Sequence, residues 1–153
     1  MGQACHVATM TQAHLPAVAG LCGELGYVVS REILETRFER LAGVAGHAVF
    51  IALDAQDRVI GFLHVFARPM LEDTQAAQVQ AMVVHVANRR QGVGALLLAA
   101  GEAWARTQDC ERMVLYSADA RSDAHAFYTK CGYGDAGVSQ RFVKSLGSDE
   151  GSA

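Results

Sequence analysis

The chain has 153 residues, 51% of them hydrophobic and 19% charged, which suits one domain around one core and excludes a disordered chain. A formal net charge of −3 with no block of Lys and Arg excludes a dedicated nucleic-acid binder, because phosphate contacts need clustered cations. The cysteines, Cys5, Cys22, Cys110 and Cys131, form no Cys-x-x-Cys pair, so no metal site is expected and reduced thiols in a cytoplasmic protein are.

The opening residues lack a basic start followed by an apolar run, so no signal peptide is expected. The start Met1-Gly2-Gln3 resembles a myristoylation signal only loosely, since His6 stands where Ser or Thr is wanted. The longest apolar stretch, 93–100, is too short to span a bilayer. Residues 4–9 read as a short strand. Thr11 caps a helix running to about Leu25 and ended by Gly26, with Pro16 as its weak point. Ser30 caps a second helix, with Ile33, Leu34, Phe38 and Leu41 at helical spacing. Residues 48–53 and 58–66 read as a hairpin turning at 54–57, and 69–77 as a polar loop. A fourth strand follows at 78–86, a helix at 92–108, a fifth strand at 112–117, a helix from Ser122 through Lys130, and a last strand at 138–145. The expected class is α/β (α+β mixed sheet) in the order βααβββαβαβ, with helices on both faces. One domain over 1–146 and a frayed tail at 147–153 complete the reading.

The segment 83–98, VVHVANRRQGVGALLL, carries the first chemistry. A strand ends, a Gly-containing turn follows, and a helix starts at once. Such a turn aims backbone N–H groups at one spot at the positive end of the helix dipole. Arg89 and Arg90 add charge beside it. A dinucleotide fingerprint needs a third Gly where Leu97 stands, and a P-loop needs Gly-Lys-Ser/Thr, which is absent. A pyrophosphate cradle and a plain strand-to-helix turn both remain open on these residues alone.

The segment 121–133, RSDAHAFYTKCGY, carries the second. Ala124, Phe127, Tyr128 and Cys131 share one helix face, which suits core packing. The helix also follows the strand after the Gly turn, so it flanks the sheet end where open α/β sheets bind ligands. A phenol stays protonated at neutral pH and can donate to a leaving thiolate.

Together these segments resemble the GNAT superfamily of N-acetyltransferases. Arg89-Arg90-Gln91-Gly92-Val93-Gly94 matches the Arg/Gln-x-x-Gly-x-Gly/Ala signature. Residues 124–133 match Ala-x-x-Phe/Leu-Tyr-x-x-x-Gly-Phe/Tyr. The order of elements fits over 4–145. The resemblance implies acetyl-CoA as cosubstrate, no metal, and a sheet splayed between strands four and five. It implies that backbone N–H groups of residues 90–95, from Arg90 through Gln91, Gly92, Val93 and Gly94 to Ala95, cradle the pyrophosphate, with Arg89 beside them. It implies that Met82, Val83 and Val84 line the acetyl and pantetheine arm, the Met82 N–H acting as oxyanion donor. Tyr128 would be the general acid, with Phe127 supporting the cofactor side. The acceptor would be a primary amine on a small molecule or peptide, attacking directly through a tetrahedral intermediate. Relatives of this size often dimerise. No nucleic-acid or membrane partner is implied.

Two departures stand out. Gln78 and Gln80 occupy positions where many members carry a Glu base, and an amide takes no proton at neutral pH. Arg121 stands where many carry an Asn. His85 and His64 are the nearest groups able to titrate near neutrality, though both read as half-exposed strand residues. Glu72 and Asp73 lie where a cationic acceptor could be held, His125 reads as exposed, and Glu24, Glu32, Glu35 and Glu39 read as solvated helix faces. A non-catalytic acyl-CoA-binding or sensing domain is the alternative, favoured by the missing Glu. A nucleotide-phosphate binder of another fold is a third reading, under which ATP or NAD competes as well as coenzyme A.

Overall fold

The computed structural model describes residues 4–117 and 122–147. Met1 to Gln3, Arg121 and most of the expected tail lie outside the described residues. The chain divides into two compact units, Met1–Tyr116 and Ser117–Ala153.

The first unit is built on a five-stranded sheet in sequential order: β1 (His6–Thr9), β2 (His47–Leu53), β3 (Val59–Arg68), β4 (Ala76–Val84) and β5 (Arg112–Val114). The first three pairings are antiparallel and the last, β4 with β5, is parallel. The β2–β3 hairpin turns on the nearly buried Asp54. Its Oδ1 accepts from the N–H groups of Gln56 and Arg58, and its Oδ2 from Arg58 Nε at 2.8 Å.

Helices cover both faces. On one lie α1 (Leu15–Glu24) and α2 (Arg31–Ala42). Leu15, Val18 and Leu21 pack on Ile51, Phe62 and Val83, with Leu34 and Phe38 of α2 at the margin. On the other lies α3 (Val93–Thr107), whose Val93, Leu97 and Ala105 pack on Leu63, Val65 and Ala77. The fit of α3 is tight: a Cβ on Gly101 would stand 2.7 Å from Leu63 Cδ2 and 3.3 Å from Met113 Cε. Gly at that position therefore lets the helix seat closely on the sheet.

The first helix begins differently from its sequence pattern. A 3-10 turn at Gln12–His14 takes the first turn, with the Thr11 N–H donating to His14 Nδ1 at 2.9 Å. Pro16 then falls in the first turn of α1, where its missing N–H costs no helical bond. Ser30 caps α2 as expected, its Oγ accepting from the Ile33 N–H. The β3 and β4 strands run further into the expected loop, pairing out to Arg68 opposite Ala76. Ala76 and Ala77 are fully buried, which rewards that extension.

The second unit holds α4 (Ser122–Lys130). Its Ala124, Phe127, Tyr128 and Cys131 are half-buried while the remaining helix positions are exposed, so the apolar stripe is real. Gly132, at φ +96°, closes it, and the Tyr133 N–H returns to the Tyr128 carbonyl at 3.0 Å. The expected strand at 138–145 does not form. Adjacent residues of a strand point to opposite faces, yet Phe142 and Val143 are 87% and 73% exposed. Neither face is buried, and among the described residues no strand ladders with the segment.

Candidate active site

The expected splay between strands four and five is present as a ladder that stops early. β4 pairs with β5 only from Ala76 opposite Arg112 to Gln78 opposite Val114. Beyond Gln78, β4 continues alone on that edge to Val84. β5 itself ends at Val114, short of the expected 117.

A β-bulge sits where the ladder ends. On β3, His64 lies opposite Ala81 and Val65 opposite Val79, so Gln80 is the extra residue. Before the bulge Val79 belongs to the α3 side of the sheet; after it Ala81 packs toward α1. Bulges re-aim a strand in this way.

The bulge also fixes where backbone groups point. The His85 N–H donates to the Ile60 carbonyl at 2.8 Å, and hydrogen-bonded pairs alternate along an antiparallel ladder. Val83 and Ala81 therefore turn their N–H and C=O groups to β3. Met82 and Val84 turn theirs to the opposite edge, where β5 has ended. Two of the three residues expected to line the acetyl and pantetheine arm thus present backbone to the open side. The third, Val83, is buried against α1.

A 3-10 turn, Val86–Asn88, leads to the Gly turn. Arg90 adopts φ +63° and Gly92, at the start of α3, φ +82°. Left-handed backbone at a non-Gly residue costs about 1 kcal/mol, and such strain gathers at ligand sites. The first helical bond of α3 runs from the Leu96 N–H to the Gly92 carbonyl. The N–H groups of Val93, Gly94 and Ala95 thus have no helical acceptor, and Gly92 brings no side chain to cap them. No acidic residue occupies the first turn. These are backbone donors at the positive end of a 15-residue helix, an arrangement that suits an anion.

Arg89 turns back toward the strand, its Nε donating to the Val84 carbonyl at 3.1 Å. A residue read from the sequence as part of a solvated helix face joins it. Glu24, at the end of α1, accepts from the Val86 N–H at 2.9 Å and meets His85 Nδ1 at 2.9 Å and Arg89 Nη2 at 4.0 Å. The hydrogen bond with His85, then those with Val86 and the nearby cations, hold its carboxyl below the usual range. Glu24 is an exposed residue, but its carboxylate is partnered and its side chain only 22% exposed. No local pattern announces it, because its partners lie 61 and 62 residues away.

His64 lies on the α1 and α2 side of β3, with Nε2 3.0 Å from His47 Nδ1. Burial, then the charge His47 would bring, pulls its imidazole down to about 4. A base that weak would receive a proton from an ammonium against a gap of roughly six pKa units, taking the amine as Lys-like. Asp73 pairs with Arg112 at 2.7 Å on the exposed loop. Glu72 and His125 are exposed. Phe127 and Tyr128 belong to the second unit, where their rings stand 5.3 Å apart and Tyr133 meets Tyr128 edge-on at 6.2 Å. Among the described residues no three His, Cys, Asp or Glu side chains gather as a metal site, and no helix is long and apolar enough to cross a membrane.

Comparison with known proteins agrees with this fold. No curated protein matches the chain. Among solved structures, the aminoglycoside N-acetyltransferase AAC(6')-Iy in complex with CoA superposes with a TM-score of 0.83 at 19% identity, covering 95% of this chain and 98% of that one. Glucosamine-6-phosphate N-acetyltransferase from Arabidopsis thaliana gives 0.80 at 15% identity, covering 94% and 100%. A protein from Bacillus halodurans C-125 described as a transcriptional regulator gives 0.82 at 18%, covering 92% and 100%. These likenesses show the fold. The model of the Acetyltransferase (GNAT) family matches residues 20–133, a span that holds both signature segments, and the chain belongs to that family of acyltransferases.

Proposed function

We propose that the chain transfers an acetyl group from acetyl-CoA to a primary amine of a small molecule or peptide. The observation that carries this reading is the early end of the β4–β5 ladder at Gln78, four residues before Met82 turns its backbone to the open edge. An acyl thioester laid along that edge extends the sheet as a missing strand would, and its pyrophosphate falls at the uncapped start of α3. The Val84 backbone pairs with the pantetheine arm, with Val83 behind it in the strand.

In the step itself the amine nitrogen attacks the thioester carbon. The Met82 N–H donates to the oxygen as it becomes an oxyanion, in a dry and pre-aimed setting. Tyr128 gives its proton to the leaving thiolate as the C–S bond breaks, with Phe127 supporting the helix. In this reading the arriving amine loses its proton through water to bulk; neither Gln78 nor Gln80 can take it, and His64 is a weak base. Residues 1–146 act as one catalytic domain in the cytoplasm, followed by the 147–153 tail. A homodimer is the assembly that family resemblance offers, and light scattering tests it.

Calorimetric titration with acetyl-CoA, against ATP and NAD, is the first test. Micromolar binding of acetyl-CoA alone supports the reading, and equal binding of ATP or NAD overturns it. An amine panel then separates transfer from acyl-CoA sensing, the reading the missing Glu favours. Tyr128→Phe is expected to lower kcat about 10²-fold or more across pH. An unchanged kcat removes Tyr128 as the acid.

A further inference from the structure

Among the described residues, Arg68 at the end of β3 has only neutral partners. Its Nη1 donates to Gln78 Oε1 at 2.8 Å and its Nη2 to the Met70 sulfur at 3.6 Å. None of the four ion pairs among the described residues includes it. Strand alternation puts Arg68 on the face of Phe66, His64 and Phe62. Phe66 stacks there on His47, with ring centroids 5.3 Å apart.

This end of the face is thinly covered. The buried α1 residues pack on Ile51, Phe62 and Val83, and α2 contributes no buried residue. Arg68 lies opposite Ala76, inside the paired part of the ladder, and its guanidinium reaches Gln78, the last β4 residue paired with β5, beyond which the slot opens. A guanidinium keeps its charge at any working pH, and partial burial without a counter-charge is unfavourable. Its planar fork fits an oxyanion. In the following loop, Asp73 pairs with Arg112 and not with Arg68.

We infer that Arg68, held by Gln78, is a subsite for an oxyanion, carboxylate or phosphate, carried by the acceptor. This deepens the transfer reading and rests on it. The geometry also sets the spacing of the acceptor's two groups. Gln78 and Met82 are four residues apart, and with one residue spent in the bulge that span is roughly 10 Å. The acceptor amine and its anion are therefore separated by about that distance. An α-amino acid is too short, and a polycationic acceptor meets like charge.

Two matched pairs test this at saturating acetyl-CoA: 8-aminooctanoate against octylamine, and glucosamine 6-phosphate against glucosamine. The expected kcat/KM is at least about 10-fold higher for the anionic member of one pair or both, and which pair responds distinguishes carboxylate from phosphate. In Arg68→Gln that ratio is expected to fall to about one. A ratio near one in the unaltered protein, or a ratio that survives Arg68→Gln, overturns the subsite. The same pairs titrated calorimetrically, with and without CoA, yield the ratio even where no turnover occurs. Failure of transfer and failure of the subsite therefore give different records.

Discussion

The two faces of the sheet are finished to different standards. The α3 face is sealed: Leu63, Val65 and Leu97 have no exposed surface, and Gly101 lets the helix sit within contact of Leu63. The α1 and α2 face is closed at one end by Leu15, Val18 and Leu21. At the other it carries His47, His64, Phe66, Arg68 and Gln78, and α2 on this side contributes no buried residue. Precise placement needs a rigid scaffold, and the Gly turn hangs directly from the sealed face. In the proposed reading, recognition of an acceptor needs surface that can change without loss of the core, and the open face offers such surface.

The largest expected effect breaks the sealed face. Leu97→Ala should cost about 2–5 kcal/mol in urea unfolding, since its cavity cannot relax against the tightly seated α3. Phe38→Ala, on half-buried α2, should cost about 1–2 kcal/mol. Equal costs would show that the two faces are packed alike. Next comes Gly92→Asp, at a left-handed position with open space around it. The strain is about 1–2 kcal/mol and the fold should survive, but a carboxylate now stands in the anion cradle. Acetyl-CoA affinity is expected to fall about 100-fold by calorimetry. Intact affinity moves the phosphate site elsewhere. Glu24→Ala severs the bridge between α1 and the Gly turn. It is expected to raise the KM for acetyl-CoA about 10-fold, because hydrogen bonds to a charged group contribute about 1.5 kcal/mol. Glu24→Gln keeps an acceptor for the Val86 N–H and should recover part of that loss. A change confined to thermal stability would make Glu24 merely structural.

What was legible in the sequence follows the same division. The Gly turn could be read because its whole mechanism is local: a strand ends, Gly92 takes a backbone that side chains disfavour, and a helix begins within a few residues. The α3 stripe could be read because a sealed face enforces strict periodicity. Glu24 could not, since its partners come from another element 61 residues on and a carboxylate on a short helix looks solvated. The Arg68–Gln78 contact depends on β3–β4 register, which the residues between them do not announce. The 138–145 segment alternates well enough to read as a strand, but alternation states only that one face can be buried. A strand also needs a neighbour with free backbone groups, and no sequence pattern supplies that.

The smallest effect tests the open face through pH. Burial, then the charge of His47, keeps the His64 imidazole neutral down to about pH 4, whereas the unfolded chain protonates it near 6.5. Between those values the unfolded state binds the extra proton, so stability rises with pH across the window from 4 to 6.5. Above 6.5 this group adds no slope, and below 4 its contribution is fully lost. The shift would amount to about 3 kcal/mol for a sealed site, but solvent reaches this face, and the loss expected is on the order of 1 kcal/mol. Urea midpoints measured from pH 4 to 7 in the unaltered protein and in His64→Gln give the test. If the slope persists in His64→Gln, other groups titrate there. If it vanishes, the imidazole is buried and uncharged in the native state, and the open face owes its openness to the margin around α2 rather than to a charge at its centre.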